Sequence, residues 1–167
     1  MVSAPRVGRR LERRIIQGVR VTKQPRGRTL HLERTLAAPP ERVFAACVEA
    51  EKLAEWWGPA GFTSPSIQID VRKGGRYRFT MQPPEGEAFH LGGEFREVDV
   101  PRRLVYTFVW EEADPDDQET VVTLTFERTG DDTRLVLDQG PFKTEARHEL
   151  HRAGWTETLE RLERAVA

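Results

Sequence analysis

Two histidines three residues apart, His148 and His151, are the side chains in this 167-residue chain best suited to proton or ligand chemistry. A neutral imidazole both donates and accepts hydrogen bonds and titrates near neutrality. On a helix this spacing sets the two rings on one face, where they can hydrogen-bond a ligand carbonyl or act as general bases. The pair falls one residue short of the i, i+4 spacing with which a helix holds zinc, and no third ligand lies near it in sequence, so no metal centre is expected. A solvated or internally satisfied pair of histidines is the plain alternative.

A second group is aromatic. Trp56-Trp57 stands directly before Gly58-Pro59, where paired indoles can cap a pocket mouth and stack on a ligand, or anchor short helices to a sheet. Tyr77, Phe79 and Met81, then Tyr106, Phe108 and Trp110, then Phe126, alternate with polar residues and so share one face of a sheet. Tyr77, Tyr106, Trp110 and Gln139 bring polar tips to that face, either to orient a ligand or to satisfy the core.

Other chemistry is weaker. Six carboxylates crowd the nine residues from Glu111 to Glu119, but the glycine and spaced glutamate of a calcium loop are missing, so a solvated hairpin tip is expected. The single cysteine, Cys47, shares a helical face with Val43 and Phe44 and reads as core; it excludes an internal disulfide and suits a reducing cytoplasm. Strand parity puts His90 outside. No phosphate loop, nucleophile elbow or dinucleotide fingerprint is present, so no cofactor is expected.

The elements that must position these residues follow from periodicity. Thr29 to Leu36 alternates as a strand; Pro39-Pro40 opens a helix carrying Val43, Phe44 and Cys47, and a second short helix runs from Glu51 to Trp57. Six further strands follow: Ile67 to Val71, Tyr77 to Met81, Ala88 to Val98, Leu104 to Trp110, Thr120 to Glu127 and Arg134 to Gln139. Gly130, in the turn between the last two, is expected at positive φ. A long helix from Thr144 to Val166 then presents His148, His151, Trp155, Leu159, Leu162 and Val166 along one line. A sheet with one apolar face must cover it, and this helix is the element available. The expected class is α+β: a curved antiparallel sheet gripping the long C-terminal helix around an apolar cavity.

The charge is uneven. Residues 1–28 hold nine basic side chains against Glu12 alone, within a chain whose formal net charge is -1. With Pro5, Gly8, Gly18, Pro25 and Gly27 interrupting any period, this segment is expected to be a disordered basic arm, and residues 29–167 one domain. Without interleaved aromatics or a folded motif, nucleic-acid binding is not expected. No apolar run reaches the roughly 20 residues of a membrane-spanning helix.

Ordered pieces of the chain are similar to a known family: Thr35 through Ala38-Pro39, Val43-Phe44, Leu53, Trp56-Trp57-Gly58-Pro59, Gly61-Phe62, Ile69-Asp70, Gly74-Gly75-Arg76-Tyr77-Arg78-Phe79, Arg103-Leu104-Val105, Thr133-Arg134-Leu135 and Gly154-Trp155. Together they resemble the START-like (SRPBCC) superfamily, in the AHSA-type branch related to the activator of the heat-shock protein 90 ATPase. The resemblance covers residues 29–167 and implies the helix-grip fold with its internal hydrophobic cavity. It does not imply one activity, since relatives carry lipids, bind hormones, cyclise polyketides, sequester toxic molecules or assist a chaperone. The expected function is non-enzymatic binding of a small hydrophobic or amphipathic molecule, in stress response or detoxification. Trp56, Trp57, Tyr77, Phe79, Met81, Tyr106, Phe108, Trp110, Phe126, His148, His151 and Trp155 are the expected ligand contacts. Two alternatives stand beside it: a cyclase- or hydrolase-type enzyme using a cavity histidine or tyrosine, and a co-chaperone-like domain with a protein partner. A homodimer is compatible with either reading.

Overall fold

The computed structural model describes residues 28–167. The expected basic arm, apart from Arg28, lies outside the described residues.

Strand β1 (Leu30–Leu36) leads into helices α1 (Pro40–Val48) and α2 (Ala50–Trp56). Pro40 occupies the first turn of α1, where a missing N–H costs nothing, and the extended ψ of 125° at Glu49 separates the two helices. Helix α2 stops at Trp57, ψ 133°, and Gly58 turns the chain with φ +99°, a conformation open to glycine but strained for other residues.

Six strands then run back and forth: β2 (Thr63–Ile69), β3 (Arg76–Gln82), β4 (Phe89–Asp99), β5 (Arg103–Trp110), β6 (Thr120–Thr129) and β7 (Asp132–Gly140). They form one antiparallel sheet in the order β1-β7-β6-β5-β4-β3-β2. The β6–β7 turn has Gly130 at φ +65°, as its sequence requires. Alternation decides the faces: Tyr77, Phe79 and Met81 are buried while Arg76 and Arg78 are exposed.

One glycine shapes the sheet. A Cβ on Gly93 would lie 2.0 Å from the carbonyl oxygen of Thr107, so only glycine lets β4 approach β5 there. A register shift follows between Phe95 and Glu97, a bulge of the kind that bends a strand and increases its twist. Helix α3 (Glu145–Val166) lies across that side, capped by Thr144, whose hydroxyl accepts from the Arg147 N–H at 3.1 Å. Leu150, Trp155, Leu159, Leu162 and Val166 bury its inner face in a core shared with all the strands, α1 and α2. The expected class, element order and helix grip are all present.

Candidate ligand site

The α2–β2 loop, the ends of β3 and β5, and the middle of α3 do not close completely on one another. They leave a cavity of about 50 Å³, walled by Trp57, Gly58 and Pro59 from the loop, Met81 from β3, Phe108 and Trp110 from β5, and Leu150, His151, Gly154, Trp155 and Thr158 from α3. A second space of about 20 Å³ lies deeper, lined among others by Trp56, Trp57, Tyr77, Phe79 and Tyr106. Trp57 lines both.

Six of the twelve expected contacts therefore meet at the larger cavity: Trp57, Met81, Phe108, Trp110, His151 and Trp155. Trp56, Tyr77, Phe79 and Tyr106 surround the inner one. Phe126 lines neither and packs on Phe44 at 5.1 Å between ring centroids. His148 also lines neither: fully buried, it sets Nε2 3.3 Å from the Thr29 carbonyl and its ring edge-on to Phe142. The expectation that both histidines look into one cavity is thus corrected. Residues three apart on a helix differ by about 60° in direction, enough to turn His148 toward β1 while His151 faces the cavity.

The polar tips are largely spent on structure. Tyr77 Oη donates to the Thr107 carbonyl at 2.7 Å, securing the pinch at Gly93. Burial pushes the Tyr106 hydroxyl well above its ordinary pKa, so it stays protonated. Trp155 Nε1 donates to Gln139 Oε1 at 2.7 Å, and Gln139 Nε2 donates to Thr120 Oγ1 at 2.9 Å, a buried chain that fixes the Trp155 ring as a wall. Trp56 Nε1 donates to the Ala46 carbonyl at 2.9 Å and acts as an anchor between α1 and α2.

Two groups at the cavity differ. The His151 ring lies against Phe108, Trp110 and Phe142, and burial, reinforced by the Arg147 charge, lowers its pKa to about 3. It is neutral at physiological pH. Trp57 is buried edge-on to Phe79 and Trp155, and its Nε1–H has no hydrogen-bond partner among the described residues.

The loop wall is held by residues that sequence reasoning passed over. Arg161 on α3 directs Nη1 at the carbonyls of Trp57, Gly58, Pro59 and Phe62, at 2.9–3.2 Å, while Glu157 accepts from the Ala60 N–H at 2.9 Å. Helix and loop are thereby locked together across the cavity mouth.

The acidic segment corrects another expectation. Asp114 is buried and Asp117 half-buried, and Arg147, 3% exposed at its side chain, meets Asp114 at 2.5 Å, Asp116 at 3.0 Å and Asp117 at 3.3 Å. The tip is a counter-charge folded over a buried arginine, because desolvating that cation requires carboxylates around it. A cation in the first turn of a helix opposes the helix dipole, and this was the available signal that anions lie nearby.

On the outer face, His90, Glu111 and Glu112 bring possible metal-ligand atoms within 4.8 Å of one another. Their lone pairs serve protein donors instead: Glu111 accepts twice from Arg78, at 2.7 and 3.0 Å, and Glu112 accepts from the His90 backbone N–H at 2.8 Å. His90 lies outside the cavity, as parity implies.

Residues 37–167 match the family described as Activator of Hsp90 ATPase homolog 1-like protein. Solved structures agree. A protein of Chromobacterium violaceum is 28% identical, the match covering 83% of this chain and 96% of that one, with a TM-score of 0.77. The AHSA1 protein of Silicibacter pomeroyi is 32% identical over 81% of this chain and 95% of its own, with a TM-score of 0.70. A Nitrosomonas europaea protein is 28% identical over 82% and 92%, also at 0.70. No curated protein matches.

Proposed function

The chain belongs to the family of Activator of Hsp90 ATPase homolog 1-like proteins, and from that premise we propose that it binds a small apolar or amphipathic molecule between α3 and the sheet, without catalysis. The observation that carries this reading is the cavity itself, whose lining residues are aromatic, aliphatic or glycine except for His151 and Thr158. Apolar burial supplies affinity at roughly 25 cal/mol per Å² and few polar atoms orient the guest.

Size sets a condition on the guest. At about 50 Å³ the space is near one third of an engineered cavity of about 150 Å³ that takes benzene, so walls must yield on binding. Met81 is unbranched and adaptable, and Trp110 is only half-buried; these are the side chains that move. Thermal stabilisation across a panel of small aromatics and short-chain lipids, lost when Trp155 is replaced by Ala, tests the reading. No helix among the described residues is long and apolar enough to span a membrane, and we place the protein in the cytoplasm, carrying or sequestering its ligand in stress response or detoxification.

An acid–base enzyme is disfavoured by His151, since an imidazole with a pKa about 3 is a weak base at pH 7. A protein partner has one specific observation behind it. The outer face of the sheet holds a recess of about 540 Å³ above Gly92 and Gly93, rimmed by Arg76, Arg96, Glu94 and Glu119, a polar surface of the kind that meets another chain. Loss of partner capture on reversing the charge of Arg76 and Arg96 would support it.

A further inference from the structure

We propose that the cavity selects uncharged ligands bearing a hydrogen-bond acceptor oxygen on an apolar body, such as an aryl ketone, by offering the Trp57 Nε1–H and the His151 Nδ1–H as donors. This rests on the reading that the cavity binds small molecules and adds which ones.

Trp57 lines both cavities and is 6% exposed, yet its Nε1–H reaches no acceptor among the described residues. A buried donor left without a partner is costly, and the other three indoles of the chain all donate: Trp56 to Ala46 O, Trp110 to His151 Nε2, Trp155 to Gln139 Oε1. The unpaired indole is the one shared by both spaces. A guest oxygen supplies what the protein withholds.

His151 adds a second donor through its tautomer. Its Nε2 accepts from Trp110 Nε1 at 3.3 Å, so in the neutral ring the proton resides on Nδ1, for which no hydrogen bond is found among the described residues. Thr158 already donates its hydroxyl to the Gly154 carbonyl at 2.7 Å. No lining residue carries a charge, so an ionised carboxylate or an amine would be desolvated without a counter-ion.

The experiment compares acetophenone, its hydrocarbon isostere cumene, and benzoate at pH 7 by calorimetry, together with indole ¹⁵N–¹H spectra of the wild-type protein. Expected are about tenfold tighter binding of acetophenone than of cumene, no measurable benzoate binding, and a downfield shift of the Trp57 indole proton with acetophenone alone. In Trp57→Phe the preference for acetophenone over cumene should shrink to what the His151 donor alone supports; the wild-type spectra decide the matter if that variant does not fold. Equal wild-type affinities with an unmoved Trp57 indole would overturn the acceptor rule while leaving cavity binding intact. Benzoate binding as tightly as acetophenone would overturn it as well. Failure of all three to bind would overturn the cavity reading and the acceptor rule with it.

Discussion

Trp110 and His151 are joined by one hydrogen bond, indole Nε1 to imidazole Nε2 at 3.3 Å, in a site where the imidazole is kept neutral. Protonating His151 would remove the acceptor and bury a charge among Phe108, Trp110 and Phe142. Its folded pKa, about 3, lies below the ordinary 6.5, so the unfolded chain binds the proton more readily. The stability linked to this histidine is complete above about pH 6.5 and is lost as pH falls toward 3. Urea titrations at pH 7, 5.5 and 4 should show wild type losing more stability on acidification than His151→Gln, with a difference of a few kcal/mol at pH 4.

Arg147 predicts a different cost. Truncating it to Met leaves the buried Asp114 and the half-buried Asp117 opposite no cation, and the loss should be about 3–5 kcal/mol at neutral pH. Arg147→Lys should recover only part of this, because a point charge cannot serve three carboxylates with the reach of a guanidinium. Chemical denaturation of both variants checks it.

Arg161→Leu should loosen the loop from Trp57 to Phe62 without unfolding the sheet. Five carbonyl oxygens lose their donor, so amide exchange from Gly58 to Phe62 should accelerate at least tenfold while β5 to β7 remain protected. Hydrogen exchange read by mass spectrometry separates the two regions.

Gly93→Ala should be among the most damaging small substitutions. Its methyl would sit 2.0 Å from a backbone oxygen, which cannot rotate away, so a loss on the order of 3 kcal/mol or failure to fold is expected, against under 1 kcal/mol for Gly130→Asn in the open β6–β7 turn. Thermal melts of both proteins test the contrast.

Much of this architecture was legible in the residues. Alternation in Tyr77–Arg78–Phe79 and Tyr106–Thr107–Phe108 set the buried face, and the stripe through Trp155, Leu159 and Leu162 named the helix that covers it. What periodicity could not resolve was direction finer than a helix face, so His148 was grouped with His151 although 60° separates them. Nor could composition see across 33 residues from Asp114 to Arg147, where a buried pair makes an acidic stretch structural. The unpaired donor of Trp57 was invisible for a related reason: whether an indole finds a partner depends on tertiary neighbours, and adjacent Trp56 found one.

A ligand entering the space between α3 and the sheet must touch Met81. Met81 is the methionine of the described residues, and it lines the cavity. With ¹³C-methyl methionine, titration of benzene, indole and acetophenone should produce a saturable shift of the Met81 methyl, and Met81→Ala should raise affinity for benzene by enlarging the space while lowering stability by about 2–4 kcal/mol. If every compound leaves the Met81 signal in place up to its solubility limit, the domain does not use this cavity for binding and the account fails.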